Sequence, residues 1–264
     1  MKQYLLEPDE YINPKDGLIY CKKCSKPRQR HDTIFARDYY IRIPCDCQKE
    51  SLRTEKRIRE EKEHERLVAN LKADGLAWKE LRNYRFDQAC NLDPKTMTTL
   101  KYFSEHFRTE NLPGLLLWGP PGRGKTFAAA CIINAVIETG QPAIMVSFEQ
   151  LLEELSSLNL SDRQAHLNHI FGQALICFDD FDLRYLTRTT TPMAVDIMNR
   201  VSHCSCPVLF TTAYTLDELE HPKTELSQKL FRLIMRRCIP LYIGGEDLIR
   251  QEQQRNLAKL QEAV

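Results

Sequence analysis

The sequence predicts an α/β fold in which a parallel sheet with flanking helices follows a small cysteine-rich module and a charged helix. From about residue 85 onward, short apolar segments alternate with helical segments, as in parallel sheets that are covered on both faces. A glycine-rich segment, 119–126, lies between the first of these strands and the following helix. Four of the ten cysteines fall within 27 residues near the N-terminus and mark a separate module (Cys21, Cys24, Cys45 and Cys47).

The elements of the α/β region follow from continuous apolar runs and from helical spacing between them. Strands are predicted over 115–118, 143–148, 174–178, 207–212 and 239–243. Helices are predicted over 126–139, 149–155, 162–171, 192–203 and 225–236, with a last helical stretch from about residue 246. Strict alternation of strand and helix gives a sheet of parallel strands.

The composition describes a globular chain without bulk charge. Its 264 residues are 42% hydrophobic, and 37 Lys and Arg face 36 Asp and Glu, which gives a formal net charge of +1. This balance excludes binding to nucleic acid through overall basicity, so any such contact needs a local patch. No apolar run approaches the length of a membrane span, and the first residues lack the apolar stretch of a signal peptide. We expect a cytoplasmic protein without a membrane partner.

Composition divides the chain into a module over 1–47, a charged helical linker over 48–80 and the α/β domain over 81–264. The linker begins with helix formers, and opposite charges recur four residues apart, as in Glu55/Arg59 and Arg57/Glu61. Its apolar residues are sparse, so little of it can be buried. A solvated connector is favoured over a nucleic-acid-binding helix because the charges nearly balance, and docking of a partner is left open.

The glycine-rich segment fits the pattern G-x-x-x-x-G-K-[ST], and a strand precedes it while a helix follows it. Glycines let the backbone curl so that its N–H groups point inward, where the helix N-terminus adds partial positive charge. We expect Lys125 to reach the β- and γ-phosphates of ATP and the Thr126 hydroxyl to ligate Mg²⁺. The predicted ATP-binding residues of this loop are Gly119, Pro120, Pro121, Gly122, Arg123, Gly124, Lys125 and Thr126.

A second element of nucleotide chemistry is an acidic pair at the end of an apolar strand. The segment 174–178 is followed directly by Asp179 and Asp180. Asp179 is predicted to hold Mg²⁺ together with Thr126, and Asp180 to polarise the attacking water, a task more often given to the longer Glu. The loop and the acidic pair together predict a P-loop NTPase.

The four N-terminal cysteines form the pattern C-x₂-C-x₂₀-C-x-C, which predicts one tetrahedral Zn²⁺ site. Zinc binding would drive folding of a segment that is too small and polar to bury a core. His31 is a substitute ligand for one cysteine, and free cysteines are the alternative interpretation. The pair Cys204 and Cys206 lacks a second pair nearby, and with the other four cysteines it is expected to be buried (Cys90, Cys131, Cys177 and Cys238).

Residues 81–250 resemble the bacterial replicative helicase loaders DnaC and DnaI and their relative, the transposition helper ATPase IstB, all of the AAA+ class. The stretches that carry the resemblance are LRNYRFDQACN, GLLLWGPPGRGKTFAAACIINAV, ALICFDD, PVLFTTAYTLDEL and LSQKLFRLIMRRCIPLYIGGEDLIR. The resemblance implies a P-loop AAA+ sheet. The chain departs from the family at two places. It has Thr211-Thr212-Ala213 where the family carries an Asn at the end of the sensor 1 strand, and Asp182 where the family tends to have Gly.

The resemblance also implies roles for arginines and for a helical insertion. Arg232 best matches the finger that reaches ATP in a neighbouring subunit, with Arg236 and Arg237 as alternatives, and Arg250 resembles the sensor 2 arginine that contacts ATP in cis. Either Thr211 or Thr212 substitutes for the missing Asn, or hydrolysis is weak. The stretch 149–171 corresponds to the insertion that related ATPases use on single-stranded DNA, although packing on the ATPase core explains it equally well; its basic residues are Arg163, His166 and His169.

A zinc-bearing N-terminal module that contacts the helicase is typical of the DnaI branch, so the cysteines favour a loader. Basic and aromatic residues surround them and predict a surface for a helicase or for DNA (Lys22, Lys23, Lys26, Arg28, Arg30, Arg37, Tyr39, Tyr40 and Arg42). The expected function is ATP-dependent loading of the hexameric replicative helicase onto single-stranded DNA, with weak, Mg²⁺-dependent ATP hydrolysis and self-association. The alternatives are an IstB-like transposition helper that acts on duplex DNA and a nucleotide-gated adaptor with little turnover.

Overall fold

The computed structural model describes residues 6–35, 37–88 and 92–245, together with Gln253 and Leu257. The chain divides into two compact units, Met1–Arg66 and Leu67–Val264. The division falls within one long helix, at a different place from the boundaries that composition suggests. No helix of the described residues is long and apolar enough to cross a bilayer.

The first unit contains two antiparallel hairpins, in a segment where no strand is predicted from the sequence. Strand β1 (Glu10–Ile12) pairs with β2 (Ile19–Cys21), and β3 (Gln29–Ile34) pairs with β4 (Arg37–Arg42). These strands are short, and all six residues of β4 are exposed, so they lack the apolar alternation that identifies a half-buried strand.

Helix α1 (Asp46–Gly75) confirms the predicted charged helix, and it begins two residues before the start and ends five residues before the end of the predicted linker, 48–80. Ion pairs between residues four apart support its exposed face, including Arg57–Glu61 at 3.5 Å and Arg59–Glu63 at 3.3 Å. The helix ends where Gly75 passes close to a strand of the second unit. A Cβ atom at Gly75 would lie 2.0 Å from the carbonyl oxygen of Ala143, so only glycine permits this approach.

The second unit is built on a five-stranded parallel sheet in the order β6-β7-β8-β5-β9, which confirms the predicted fold class. Every predicted strand is present: β5 (Gly114–Trp118), β6 (Ala143–Ser147), β7 (Leu175–Asp179), β8 (Val208–Thr212) and β9 (Cys238–Tyr242). The predicted helices are α3 (Lys125–Glu138), α4 (Phe148–Ser157), α5 (Leu160–Phe171), α6 (Thr191–His203) and α8 (Glu225–Arg237). The last predicted helix, from residue 246, lies almost wholly outside the described residues.

Two helices of the second unit were missing from the prediction, α2 (Pro94–His106) and α7 (Leu216–Glu220). Their start signals are present in the sequence, since Asp93 caps α2 with Pro94 at the first helical position, and Thr215 and Glu218 form a capping box. Three short 3₁₀ helices complete the unit (Lys79–Asn83, Phe86–Gln88 and Leu183–Tyr185).

The core of the second unit consists of two apolar layers, one on each face of the sheet. Successive residues of a strand point to opposite faces, so Phe210 of β8 belongs to one layer and Leu209 to the other. Because the strands are parallel, the carboxyl ends of β5, β7 and β8 meet at one edge. This edge carries the glycine-rich loop, the acidic pair and the two threonines that end β8.

Candidate nucleotide-binding site

The glycine-rich loop connects β5 to α3 and needs glycine at its two ends. Gly124 precedes α3 with a φ of +87°, in the left-handed region. Gly119 has a φ of +145°, and a Cβ atom there would lie 2.5 Å from the carbonyl oxygen of Ile243. The loop thus leads its backbone into the N-terminus of a 14-residue helix, where N–H groups and the helix dipole favour an anionic phosphate.

Lys125 folds back on its own loop. Its Nζ donates hydrogen bonds to the carbonyl oxygens of Gly119 and Pro120, each at 2.8 Å. Burial lowers the pKa of the Lys125 amine, against the pull of the Asp180 and Asp179 carboxylates. The neighbouring Arg123 donates to the carbonyl oxygen of Gly245 at 2.6 Å, which joins the loop to the segment after β9. Lys125 therefore lies at the centre of the loop, where phosphate oxygens can replace the two carbonyls.

Thr126 and Asp179 lie together, as the metal prediction requires. The Thr126 hydroxyl donates to the two carboxylate oxygens of Asp179 at 3.1 and 3.2 Å. Burial raises the pKa of Asp179, while hydrogen bonds from Thr211 and Thr126 act in the opposite direction. A hydroxyl and a carboxylate are oxygen donors of the kind that Mg²⁺ prefers, so these two residues fit that ion.

The hydroxyl of Thr211 joins both members of the acidic pair. It donates to Asp179 Oδ1 at 2.6 Å and accepts the backbone N–H of Asp180 at 2.8 Å. Thr212 instead donates to the carbonyl oxygen of Phe181 and is fully buried. Of the two threonines considered as replacements for the family's Asn, Thr211 is therefore the one that contacts the acids, two residues before Ala213.

Asp180 is held by a residue that sequence reasoning did not find. The Tyr185 hydroxyl donates to Asp180 Oδ2 at 3.0 Å, and Asp180 has a φ of +54°, an unfavourable value for a residue other than glycine. Burial, followed by the hydrogen bond to Asp180, raises the pKa of Tyr185 to about 12 and keeps the hydroxyl protonated. No motif marks this tyrosine, because only the folded turn brings it to the acid.

The turn after the acidic pair is fixed by Asp182, the residue that replaces the family's Gly. The buried Asp182 carboxylate accepts from the Arg184 backbone N–H at 2.8 Å and from the Arg184 Nε at 2.7 Å. The Tyr214 hydroxyl donates to the same carboxylate at 3.0 Å. These bonds position the 3₁₀ helix Leu183–Tyr185, which carries Tyr185 toward Asp180.

The three candidate finger arginines have different environments on α8. Arg232 and Arg236 are exposed, and in the described part of the chain Arg232 has neither a hydrogen bond nor an ion pair. Arg237 instead donates to the carbonyl oxygens of Cys204 and Cys206 at 2.8 and 3.0 Å. Arg237 therefore has partners within its own unit, and the choice among the three arginines stays a prediction. Arg250 lies outside the described residues, and the role of Arg232 stays a prediction.

The helical insertion packs on the ATPase core. Leu151, Leu155 and Ile170 of α4 and α5 are buried in one apolar layer. The basic residues of α5 have partners within the unit: Arg163 donates to the Leu155 carbonyl at 2.8 Å, His166 lies 3.5 Å from Glu154, and His169 lies 3.3 Å from Asp74. These contacts favour the packing interpretation of the insertion.

The four N-terminal cysteines form one cluster in the first unit. Their sulfur atoms all lie within 4.8 Å of one another, and Cys21 and Cys45 are buried. Zn–S bonds of about 2.3 Å in a tetrahedron place sulfur atoms about 3.8 Å apart, so this donor set fits zinc. His31 lies outside the cluster, 3.0 Å from Asp38 across the β3–β4 hairpin. The prediction of His31 as a substitute ligand has no support in this arrangement.

Arg28 is buried beside the cysteine cluster, which contradicts its assignment to a basic surface. Its guanidinium lies 2.5 Å from Asp9, 3.3 Å from Glu7 and 3.4 Å from Glu10. Its Nε donates to the Cys45 sulfur at 3.4 Å. Arg42 pairs with the same Glu10, whose side chain is fully buried. Arg28 and Arg42 are thus both partners of one buried carboxylate, that of Glu10.

The other cysteines lie in the second unit. Cys204 and Cys206 are half-buried and not fully buried, which corrects the expectation from sequence. Cys131, Cys177 and Cys238 are buried, as expected, and Cys90 lies outside the described residues.

Residues 46–256 match the family described as IstB-like ATP binding protein. Among curated proteins, an insertion sequence IS21-like putative ATP-binding protein of Bacteroides fragilis is 29% identical over 140 residues, which cover 52% of this chain and 52% of that protein. The replicative helicase loader DnaI of Bacillus subtilis (strain 168) is 24% identical over 178 residues, which cover 61% of this chain and 57% of that protein. The chain thus spans little more than half the length of these relatives.

Two solved structures of helicase loaders share the fold. The match to the crystal structure of DnaI has a TM-score of 0.53 at 20% identity, and it covers 65% of this chain and 93% of the DnaI chain. The match to the crystal structure of the DnaC helicase loader has a TM-score of 0.54 at 20% identity, and it covers 63% of this chain and 100% of the DnaC chain. The chain belongs to the family of IstB-like ATP binding proteins, AAA+ proteins related to the DnaC and DnaI helicase loaders.

Proposed function

We propose that this chain is an ATP-dependent loader that places the hexameric replicative DNA helicase on single-stranded DNA when replication begins, in the cytoplasm. The observation that carries the proposal is the presence in one chain of two units with different chemistry. The unit Leu67–Val264 has the nucleotide site, and the unit Met1–Arg66 has four clustered cysteines. A relative of the ATPase unit, DnaI of Bacillus subtilis, is named a replicative helicase loader.

ATP hydrolysis in this proposal depends on residues at one edge of the sheet. The loop amides and the Lys125 amine bind the β- and γ-phosphates, once Lys125 leaves the carbonyls of Gly119 and Pro120. Thr126 and Asp179 would hold Mg²⁺, which neutralises phosphate charge. Asp180 polarises the attacking water, and Thr211 holds Asp179 and the backbone of Asp180 in place.

The cysteine cluster supports the choice of a helicase as the client. We infer that Zn²⁺ is bound by Cys21, Cys24, Cys45 and Cys47, because four thiols at this spacing suit a structural zinc site. The resemblance associates such a module with the DnaI branch of loaders. In this proposal the zinc module binds the helicase while the ATPase unit controls its release.

Self-association supplies the remaining catalytic group. Arg232 is exposed on α8 with no ion pair in the described part of its unit, so it is available to the nucleotide site of a neighbouring copy. A charge given in trans makes hydrolysis depend on assembly. The single-stranded DNA part of the proposal rests on the resemblance to the loaders, since Arg163, His166 and His169 have partners within their own unit.

A loading assay with purified components tests this function. The replicative helicase of the organism that encodes the chain is offered to single-stranded DNA coated with binding protein, and unwinding is followed with and without ATP. We expect the wild-type chain to support unwinding, and Lys125→Ala to lose ATP binding and loading together. Lys95→Ala, at an exposed lysine of α2, is the matched control. Normal loading by Lys125→Ala would contradict the proposed mechanism.

A transposition helper is the second candidate function, because the family match and the Bacteroides fragilis relative both point to insertion sequences. Co-purification separates the two. A loader is recovered with a hexameric helicase, and recovery with a transposase on duplex DNA would overturn the loader proposal. A nucleotide-gated adaptor is less well supported. That alternative depends on Ala213, which lacks a polar side chain, but the Thr211 hydroxyl bonds to the Asp179 carboxylate and to the Asp180 backbone N–H.

A further inference from the structure

The β3–β4 hairpin of the first unit exposes an apolar face. Residues paired across an antiparallel ladder point to the same face of the sheet, so both strands contribute to it. Its large apolar side chains are between 40 and 48% exposed (Ile34, Tyr39 and Ile41). On the opposite face the Asp38 carboxylate lies 3.0 Å from His31 and accepts from the Thr33 hydroxyl at 2.9 Å. One face is thus bonded within the chain, and the other presents grouped apolar surface of the kind that marks an interaction site.

The tip of the hairpin adds a further apolar side chain on a strained backbone. Phe35 is 98% exposed, so its ring contributes almost no burial to its own chain. Its φ of +51° lies in the left-handed region, where two-residue hairpin loops usually carry glycine, asparagine or aspartate. A phenylalanine held in this position is best explained by a contact outside the protomer.

Strand β4 also has an open edge. Among the described strands it pairs only with β3, and that ladder runs through six residue pairs in unbroken register. Proteins usually protect such an edge with a proline, a lysine, a bulge or a covering element. β4 has none of the first three, and all six of its residues are exposed. Its charges are of both signs (Arg37, Asp38 and Arg42), so they can pair with a second strand.

We propose that β4 pairs with β4 of a second copy of this chain, in an antiparallel arrangement about a twofold axis. The two hairpins then form one four-stranded sheet in the order β3-β4-β4-β3. A twofold interface uses the same patch on both copies, so this edge has to be complementary to itself. The inference is independent of the proposed function, because it uses neither the nucleotide site nor the cysteines.

The charges of β4 favour one register of this pair. If the twofold axis passes through the middle of 38–42, Asp38 of each copy lies opposite Arg42 of the other, and Tyr39 lies opposite Ile41. Opposite Cβ atoms are about 4.5–5.5 Å apart, so the two charges can form an ion pair while the apolar faces become continuous. The Asp38 and Arg42 side chains are 61 and 47% exposed, and Arg42 keeps its own carboxylate partner. A shift by one residue would place Arg37 opposite Arg42, and like charges destabilise a sheet.

The tip of one hairpin then reaches the base of the other. Six residues of antiparallel strand span about 20 Å, and in this register Phe35 of one copy lies beside the residues that follow β4 in the other. An open cleft lies at that position, with an apolar part lined by Ile43, Pro44 and Leu52. Its volume of about 560 Å³ exceeds that of a phenylalanine ring. The exposed ring of each copy therefore has an apolar site on the other.

Sedimentation velocity of the nucleotide-free full chain over a range of concentrations tests the proposal. We expect a monomer–dimer equilibrium without ATP. Asp38→Arg creates two like-charge contacts per dimer and should raise the dissociation constant at least about tenfold. Asp32→Arg is the matched control: it makes the same charge change on β3, away from the open edge, and should leave the constant within about twofold. A wild-type chain that stays monomeric without ATP, or equal dissociation constants for the two variants, would overturn the proposal.

A photocross-linker tests the register. In the proposed sheet Tyr40 is the residue of β4 that lies opposite itself, so p-benzoylphenylalanine at this position should join two copies there, as read by mass spectrometry of the peptides. The same probe at Arg30 of β3 is the control and should join few copies. Phe35→Ser should weaken the dimer without lowering the melting temperature of the monomer, because the ring is exposed. Cross-links from position 40 to an added helicase in place of the second copy would assign the edge to another partner and contradict the proposal.

Discussion

In the unit of residues 67–264, two apolar layers cover opposite faces of a five-stranded sheet, and its largest buried side chains are Phe, Leu and Ile. Among the described residues of 1–66, the buried apolar set is only Ile19, Cys21 and Cys45. What that unit buries instead is polar: Arg28, Gln29 and Glu10. One unit is held by apolar packing, and the other by charge pairs around a cluster of thiols.

This difference follows from the small size of the first unit, and it predicts that the two units are destabilised by different changes. A unit of fewer than about 70 residues rarely buries enough apolar surface to fold alone, and a structural metal is a common substitute. The first unit should therefore respond to chelation and to the loss of a buried charge. The second should respond to changes at its nucleotide edge without losing its fold.

Removal of zinc is the change with the largest expected effect. A strong chelator should unfold residues 1–66 while the ATPase unit keeps its sheet, because only the first unit lacks an apolar core. Limited proteolysis followed by mass spectrometry measures this as rapid cleavage within 1–66 and a resistant fragment from about residue 67. Elemental analysis should find one zinc per chain, lost in Cys21→Ser and kept in Cys131→Ser. Protein free of zinc when purified would refute the metal assignment.

Replacement of the buried cation beside the cysteines comes next. Arg28→Leu removes one of the two arginine partners of buried Glu10 and the side-chain donor to the Cys45 sulfur, and breaking a buried ion pair costs about 3–5 kcal/mol. We expect zinc to transfer to a coloured chelator much faster than from the wild-type chain. Arg30→Leu is the matched control, since Arg30 pairs with Asp32 at the surface, where an ion pair contributes about 0–1 kcal/mol. Equal release rates for the two variants would show that Arg28 does not support the cluster.

At the nucleotide edge, Thr211→Val tests whether this threonine replaces the family's Asn. Valine keeps the shape of the side chain but loses its hydrogen bonds to Asp179 and to the Asp180 backbone. A hydrogen bond to a charged group contributes about 1.5–3 kcal/mol, so turnover should fall roughly 10- to 150-fold with ATP binding preserved. Thr212→Val is the control, because the Thr212 hydroxyl bonds to the Phe181 carbonyl oxygen and the Tyr214 backbone N–H and to neither acid. Unchanged turnover would show that Thr211 does not take the place of the family's Asn.

The smallest expected effect concerns Tyr185. Its hydroxyl donates to one oxygen of Asp180, so Tyr185→Phe should raise basal ATP turnover roughly two- to fivefold, in line with the loss of about 0.5–1 kcal/mol. Tyr102→Phe removes a hydroxyl that donates to Glu110, away from the acids, and should leave turnover near the wild-type value. Steady-state phosphate release measures both. A fall in turnover for Tyr185→Phe means that the tyrosine assists Asp180 and does not restrain it.

The second unit was largely predictable from sequence because its signals are local. Continuous apolar strands identify a buried parallel sheet, and the motif at 119–126 identifies the loop and the edge on which it lies. Asp179 and Thr126 were expected together, and they lie within hydrogen-bond distance. The acidic residue at the end of β7 meets the loop because parallel strands bring their carboxyl ends to one edge.

The features that escaped prediction depend on contacts between residues distant in sequence or on weak patterns. Arg28 was predicted to be a surface cation, but the fold buries it among Glu7, Asp9 and Glu10. Arg237 was an alternative finger candidate, and the fold places its guanidinium at the carbonyl oxygen of Cys204. The hairpins of 1–66 were missed because exposed strands carry no apolar alternation.

Trp118 closes strand β5 immediately before the phosphate loop, and its ring lies against that of Tyr242 with the centroids 4.8 Å apart. The chain has only one other tryptophan, Trp78, which is exposed. Trp78→Phe therefore leaves Trp118, the residue before Gly119, as the single tryptophan. We expect its emission to change when ATP occupies the loop, so that binding can be followed in real time without a label.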